Sequence, residues 1–433
     1  MRLIIILNLV NCVPFQAEHG KFLRKESNVN RMQVVLVVTF LLGLIGVCQA
    51  QDENIWEQET LTNGFWGLND QLADSGIELG FAMTSVYQAN VKGGISTNQR
   101  RGRHAGRYDL EMSIDLEKLL GIEGGSFFMH GWGGWPDTEG IDGHSVGSAW
   151  GINALAIGDR SMDIVEAFYK GPFFSDDLTI AIGKLDFTGI FDASEYADDE
   201  CAQFLNASLV DDPTIPFAAH GLGIVLTWDI TDSWYIMGGI ADAEADRRET
   251  GFETTFGGED YFFYAIETGI TDGSGTYRVG FWVDPQPKAN SGASTTYRKD
   301  VGVYMSLDRM LIKENSESED TQGLGGFFRY GYADDRKNDI TNFFSLGFQY
   351  QGLFDGRDDD VFGVGYSHGT FSNAASSSYP EDYESVLEAY YNAQVTPWFV
   401  FGPSIQYVAN PSNGDGTTSK DAVIFGLRAQ MTF

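Results

Sequence analysis

Residues 421–433 read DAVIFGLRAQMTF, and the alternation in this stretch decides the fold. Val423, Phe425, Leu427, Ala429, Met431 and Phe433 fall on one face of an extended strand, because strand side chains alternate with a period of two. Ile424, Gly426, Arg428, Gln430 and Thr432 fall on the other. The first face is apolar throughout and needs an apolar neighbour, whereas Arg428 and Gln430 need water or a polar partner. Two architectures meet both demands. One is a soluble sandwich with its apolar faces packed together; the other is a membrane barrel with lipid outside and water inside.

Working back toward the amino terminus, the same period recurs in sixteen segments: 77–91, 106–119, 125–135, 162–173, 178–187, 221–230, 234–245, 260–270, 275–287, 300–313, 323–334, 342–353, 361–372, 385–395, 398–410 and 421–433. In 106–119, Tyr108, Leu110, Met112, Ile114 and Leu116 oppose Arg107, Asp109, Glu111, Ser113, Asp115 and Glu117. In 342–353, Phe344, Leu346, Phe348 and Tyr350 oppose Ser345, Gly347, Gln349 and Gln351. The connections separate the two architectures. Most even-numbered segments lead on through brief turns (121–124, 174–177, 231–233, 271–274, 396–397), while odd-numbered ones precede long loops (92–105, 136–161, 188–220, 246–259, 288–299). Short turns at one end and long loops at the other is the asymmetry of an outer-membrane barrel. An even strand count puts both termini on the short-turn side. The connections 314–322 and 335–341 fit this rule poorly. Trp228, Trp234, Tyr235 and Trp398 stand near strand ends, where interfacial aromatic girdles belong. Sixteen strands leave a water-filled lumen, so the count points to a channel.

Composition agrees. The chain carries 52 Gly, 31 Phe, 19 Tyr and 9 Trp, with a mean hydropathy of only −0.18. A helical span needs roughly 20 consecutive apolar residues, and no such run follows residue 50. Residues 32–50 (MQVVLVVTFLLGLIGVCQA) are apolar, follow Lys21, Arg24, Lys25 and Arg31, and end on small residues before Gln51; they read as a secretory signal cleaved after Ala50. Either Met32 is the true start or the leader, 1–50, is long. Without it the chain has 23 basic and 59 acidic residues, a net charge of −36. Nucleic acid is excluded as a partner, since nothing would neutralise phosphates. Cys12 and Cys48 fall in the leader, so Cys201 stands alone and neither a disulfide nor a thiolate metal site forms within one mature chain. Within 51–76, Phe65, Leu68 and Leu72 share a helical face and Gly76 ends the pattern, which predicts a short amino-terminal helix before a barrel over 77–433.

From Leu61 to Phe433 the chain resembles the carbohydrate-selective porin (OprB) family. The residues that carry the resemblance are GFWGLNDQLADSGIELGF (64–81), DLEMSIDLEKLLG (109–121), YADDECAQFLNASL (196–209), GTYRVGFWVD (275–284), VTPWFVFGPSIQYVANP (395–411) and DAVIFGLRAQMTF (421–433), in the family's order. The resemblance implies an all-β, 16-stranded antiparallel transmembrane β-barrel with a short periplasmic amino-terminal helix. It also implies the outer membrane of a Gram-negative-type bacterium, with lipid around the barrel and sugars as permeants. Extracellular loops would fold inward to narrow the pore, and the barrel-assembly machinery would read the aromatic terminus, Phe433. The matching segments skip 136–161 and 246–259, loops on which the sugar preference would turn.

A sugar-selective constriction needs charged or amide groups that bond hydroxyls in pairs, and aromatic faces for the apolar side of the ring. The inward parity of 106–119 supplies Arg107, Asp109 and Glu111. That assigned to 162–173 and 178–187 supplies Glu166, Lys170, Lys184 and Asp186. His130 and Trp132 share the inward parity of 125–135, and Trp135 starts the following loop. These residues either line the eyelet or compensate one another as a ladder of ion pairs in the wall. Gly143-His144-Ser145-Val146-Gly147 matches G-x-S-x-G, but the strand that a nucleophile elbow requires before the serine is missing, so catalysis is not expected. The acidic clusters at 198–200, 211–212 and 355–360 lack the spacing of a calcium loop and read as solvated loops, with Cys201 beside the first read as buried or idle. No metal-binding histidine pattern and no Walker sequence occurs, so neither metal, cofactor nor ATP is expected. The strong negative charge favours neutral sugars over anions. Two rivals remain: a general, weakly cation-preferring porin, and a barrel hydrolase using Ser145 with His144 or His220.

Overall fold

The computed structural model describes residues 54–99, 102–135, 140–218, 220–257, 261–289, 295–315, 321–373 and 378–433. The leader and its cleavage point lie outside them. Sixteen strands form the wall: β1 (Ile77–Gly94), β2 (Gly102–Asp115), β3 (Ser126–Trp135), β4 (Arg160–Phe173), β5 (Ser175–Leu185), β6 (Gly221–Thr231), β7 (Trp234–Asp242) and β8 (Phe262–Thr271). The second half comprises β9 (Gly275–Asp284), β10 (Asp300–Lys313), β11 (Gly323–Ala333), β12 (Ile340–Gln351), β13 (Val361–Phe371), β14 (Tyr383–Thr396), β15 (Phe399–Ala409) and β16 (Lys420–Thr432). Each pairs antiparallel with its sequence neighbours, and β1 closes on β16 from Ala82↔Thr432 to Gly94↔Lys420. Closure removes every sheet edge, so all strand N–H and C=O groups in the membrane find partners.

The period-2 alternation sorts as the sequence reading expects. On β16, Phe425 is 42% exposed on the outside while Ile424 and Arg428 are buried on the inside. Ile266, Val279, Phe281, Val303 and Ile405 are likewise exposed around the outer wall. So much exposed apolar surface suits lipid and not water. Trp228 and Trp234 stand exposed at the short turn between β6 and β7. Tyr235 departs from the expected girdle: its hydroxyl donates inward to Glu267 at 2.7 Å.

The segment leading into the barrel and the carboxy-terminal residue gather at the short-turn end. The Leu61 N–H donates to the Thr432 carbonyl at 2.9 Å, and the Phe433 N–H to the Phe81 carbonyl at 2.9 Å. Helix α1 (Asn63–Ala73) starts later than the 51–76 pattern suggests, and its first turn is left-handed, with Gly64, Phe65, Trp66 and Gly67 at φ between 57° and 78°. Glycine accepts this freely, whereas Phe65 and Trp66 carry about 1–2 kcal/mol of strain each. The threonine hydroxyls hold the turn: Thr60 accepts from the Gly64 N–H at 2.9 Å and Thr62 from the Phe65 N–H at 3.1 Å. Asn69 docks α1 on β1 through two bonds to the Leu79 backbone. The end of the 106–119 segment turns out helical. Asp115 caps α2 (Leu116–Leu120) by accepting from the Glu117 and Lys118 N–H groups, and Gly121, at φ 73°, ends it.

The largest departure from an open tube is the connection 186–220. It folds into the lumen and packs Phe187, Phe191 and Ile215 against Val225, Met237, Phe263, Trp282 and Tyr304 of the inner wall. Phe204 and Leu209 pack with Phe327 and Tyr390. A one-turn helix, α3 (Ala207–Val210), lies within it, capped by Asn206. A second loop meets the first, with the Ala154 N–H donating to the Leu205 carbonyl and the Ala207 N–H to the Gly151 carbonyl.

Candidate functional site

The inner wall reaches inward to hold loop 186–220, on three strands through carboxylates that accept from its backbone. Glu267 on β8 accepts from the Asp192 N–H at 2.9 Å, and Asp308 on β10 from the Glu195 N–H at 3.1 Å. Glu388 on β14 accepts from the Leu205 and Asn206 N–H groups, both at 2.9 Å. Gln406 on β15 accepts from the Asn206 side chain, and Ser367 on β13 bonds Ser208 at 2.6 Å. Arg329 on β11, 1% exposed, donates to the Val210 carbonyl at 2.6 Å, to the Asp192 carbonyl at 3.1 Å and to the Asp198 carboxylate at 3.0 Å. Glu384 on β14 does the same for loop 140–159, accepting from Ser148 and the Ala149 N–H. These groups are barrel-facing by parity. A buried carboxylate that accepts two or three N–H bonds is satisfied without a cation.

Acidic residues 198–200 and 211–212 therefore do not form a solvated loop. Asp192, Asp198, Asp211 and Asp212 gather around the single Arg329 guanidinium, an excess of negative charge in a dry place. Burial raises Asp192 well above the ordinary carboxylate value and pushes Asp212 up to about 6. Such groups keep their protons at pH values where a released loop, with carboxylates near 3.8, has lost them. Docking is thus strongest below about pH 4 and weakens as pH rises through about 6. Single-channel recordings are expected to show more frequent opening flicker at pH 8 than at pH 5; equal flicker at both would count against this coupling.

The sequence-derived candidates converge in part. On β2 and β3, Arg107 Nε lies 2.9 Å from Asp109, and His130 bridges Asp109 at 3.0 Å and Glu166 at 3.3 Å. The Arg107 guanidinium sits 4.8 Å over the Trp132 ring and donates to Glu200 and to the Cys201 sulfur, so it also pins the tip of loop 186–220. Arg247 reaches the same indole at 5.9 Å, and His220 meets it edge-on at 4.9 Å. Asp186 lies 3.7 Å from His220 and accepts from Thr188. Glu111 stays exposed on the inner wall. Cys201 is buried, and burial pushes its thiol well above the usual range.

Lys184 and Trp135 lie elsewhere. The register on β5 pairs Ala181 with Lys170 and Val225, which makes Thr179, Ala181 and Gly183 inward and Lys184 outward. Lys184 is buried nonetheless, because its ammonium donates to the carbonyls of Ile164, Arg247 and Glu249 at 2.8, 2.8 and 2.6 Å. Leu178, Ile180 and Ile182 share its parity, a signal already present in the sequence. Trp135 pairs with Gly106 on the outer face, stacks on Tyr108 and donates to His104 at 3.3 Å. Glu200, Arg247 and the wall carboxylates Glu267, Glu384 and Glu388 were missed; the last two, four residues apart on one inward strand face, were the available clue. Among the described residues, no group of three or more His, Cys, Asp or Glu side chains is placed to hold a metal ion.

Comparison with known proteins gives a consistent answer. The profile of the family described as "Carbohydrate-selective porin, OprB family" matches residues 99–433. The chain is similar to Porin B of Pseudomonas aeruginosa, at 22% identity over 91% of this chain and 96% of that one. It also superposes on the high-pH structure of Pseudomonas putida OprB with a TM-score of 0.75, at 18% identity over 88% of this chain and all of the other. The same protein's low-pH structure gives a TM-score of 0.54.

Proposed function

Because the chain belongs to the carbohydrate-selective porin (OprB) family and is an outer-membrane β-barrel porin, we propose that it passes mono- and small oligosaccharides passively, with the wall of β2–β4 and the tip of loop 186–220 forming the eyelet. The observation that carries this reading is the inward loop, which narrows a lumen that sixteen strands would otherwise leave wide. Glu111, His130 and Glu166 on the wall offer hydroxyl-bonding groups, and from the loop Glu200 meets Arg107, His220 meets Trp132 and Asp186 lies beside His220. Arg107, Arg278, Arg329 and Arg428 are each held by carboxylates, amides or carbonyls, and do not form the free cationic ring of a phosphate pore.

A hydrolase reading has little support. Ser145 is fully buried in a single π-turn (Asp142–Val146), and its hydroxyl donates to the Ser96 carbonyl at 2.7 Å. Planar-bilayer recording tests the proposal. Open-channel current is expected to fall saturably as glucose or maltose is raised, whereas a fall that only follows solution viscosity would leave a general, weakly cation-preferring porin.

The carboxy-terminal aromatic fits a role in assembly. Phe433 packs its ring 5.0 Å from Phe81 and donates its N–H to the Phe81 carbonyl, which seals β16 to β1; recognition of this aromatic by the barrel-assembly machinery is part of the proposal. Phe433→Ala is expected to lower the folded, heat-modifiable fraction in membranes while refolding in detergent stays near normal. Equal loss in both settings would reduce Phe433 to a packing residue.

A further inference from the structure

A second polar space lies in the lumen on the far side of the inward loop. It has a volume of about 480 Å³, within the range of small-molecule sites, and occupies the short-turn end of β8–β12. Strand order puts it about half-way round the barrel from Arg107 and Trp132. Glu195 and Tyr196 of loop 186–220 form one side, with Thr271, Thr276, Gln349 and Gln351 on the wall. The register makes the wall groups inward: Gln349 pairs with Gly325, Gln351 with Gly323, and Thr271 with Thr276.

The groups are held but not used up. Gln349 accepts from the Tyr390 hydroxyl at 3.0 Å, which fixes the amide; its N–H₂ remains a donor among the groups lining the cavity. Gln351 donates to Thr321 at 3.2 Å, which leaves its carbonyl oxygen as an acceptor. The Glu195 N–H is tied to Asp308, so its exposed carboxylate projects from a fixed backbone. Gly325 allows the Tyr196 ring to lie directly on the strand, since a Cβ there would come within 2.2 Å of the ring. A donor end, an acceptor end, the mutually bonded hydroxyls of Thr271 and Thr276 and one carboxylate around a rigid cavity match the adjacent hydroxyls of a neutral sugar.

We propose that this cavity is a second carbohydrate subsite, on the periplasmic side of the constriction, which holds the permeant after it passes the eyelet. The inference rests on the porin reading given above. A site here would take sugar arriving from the short-turn side independently of Arg107 and Trp132.

Cysteine protection tests it in the full barrel, where the buried Cys201 gives little background. Thr271→Cys and Thr276→Cys would be modified with a membrane-impermeant thiosulfonate, beside Ser113→Cys, an inward position at the same end of β2. Maltose is expected to slow modification at both cavity positions in a saturable way and to leave Ser113→Cys unaffected. Adding Gln349→Ala should raise the half-protecting maltose concentration roughly fivefold, about 1 kcal/mol for a lost hydrogen bond. Unchanged rates at the cavity positions, or equal slowing at all three, overturn the subsite. If wild-type current is still blocked by maltose in that case, only the subsite falls; if maltose neither blocks nor permeates, the porin reading itself falls.

Discussion

Arg329→Ala is expected to release loop 186–220 and turn a narrow, sugar-blocked channel into a wide and indifferent one. This guanidinium is almost wholly buried, bonds two loop carbonyls and Asp198, and also faces Asp192. Removing one member of a buried charge network costs about 3–5 kcal/mol, because the partners are left uncompensated. That raises the undocked population by about two to four decades. Glu267, Asp308 and Glu388 still hold their backbone N–H groups, so the loop should detach as a flickering segment while the barrel remains intact. The readouts are a higher mean conductance, a weaker maltose block and unchanged heat-modifiability. The defect should be milder at pH 5 than at pH 8, since protonation of Asp192 and Asp212 removes the repulsion that Arg329 balances. Glu388→Ala should act in the same direction at Leu205 and Asn206, in the middle of the loop. Wild-type conductance and block in both variants would show that the loop is held by packing alone.

Arg107→Ala is the second large effect. Its guanidinium is shared among Asp109, Glu200, the Cys201 sulfur and the Trp132 ring, so its loss leaves two carboxylates facing each other across the proposed eyelet. The charge change should raise the preference for cations over anions. Loss of the nearer of the indole's two cations, worth up to about 2 kcal/mol when desolvated, should loosen Trp132 and weaken sugar block by roughly tenfold or more. Arg107→Lys should restore the ion selectivity but not the sugar block, because an ammonium cannot reproduce the planar fork. Trp132→Ala should weaken block without altering ion selectivity. If sugar flux into liposomes and current block are untouched in Arg107→Ala and Trp132→Ala alike, this cluster is a stiffener of the wall and the eyelet lies elsewhere.

How much of this was legible in the sequence follows from the range over which each feature is determined. Alternation of side chains is a property of two adjacent peptide units, so sixteen segments could be placed within a few residues of β1–β16 from the chain alone. Misplacements occurred where a local signal competed with alternation. The end of the 106–119 segment became α2 because Asp115 can cap and Gly121 can adopt a positive φ. The inward parity assigned to Lys184 fails on β5, where Ile180 and Ile182 share its face and mark it as outward. Its charge is tolerated there because three loop carbonyls surround it.

The sequence by itself determined a closed wall with a greasy outside and a polar inside, together with the family it resembles. It also singled out Arg107, Asp109, His130, Trp132 and Glu166 as inward groups on neighbouring strands. Only the tertiary structure decided what those groups face. Glu200 meets Arg107 across 93 positions of chain, and Leu205 meets Glu388 across 183. The physical reason is that a loop's path is set by the sum of many distant hydrogen bonds and ion pairs, none of which leaves a periodic trace in the segment it holds.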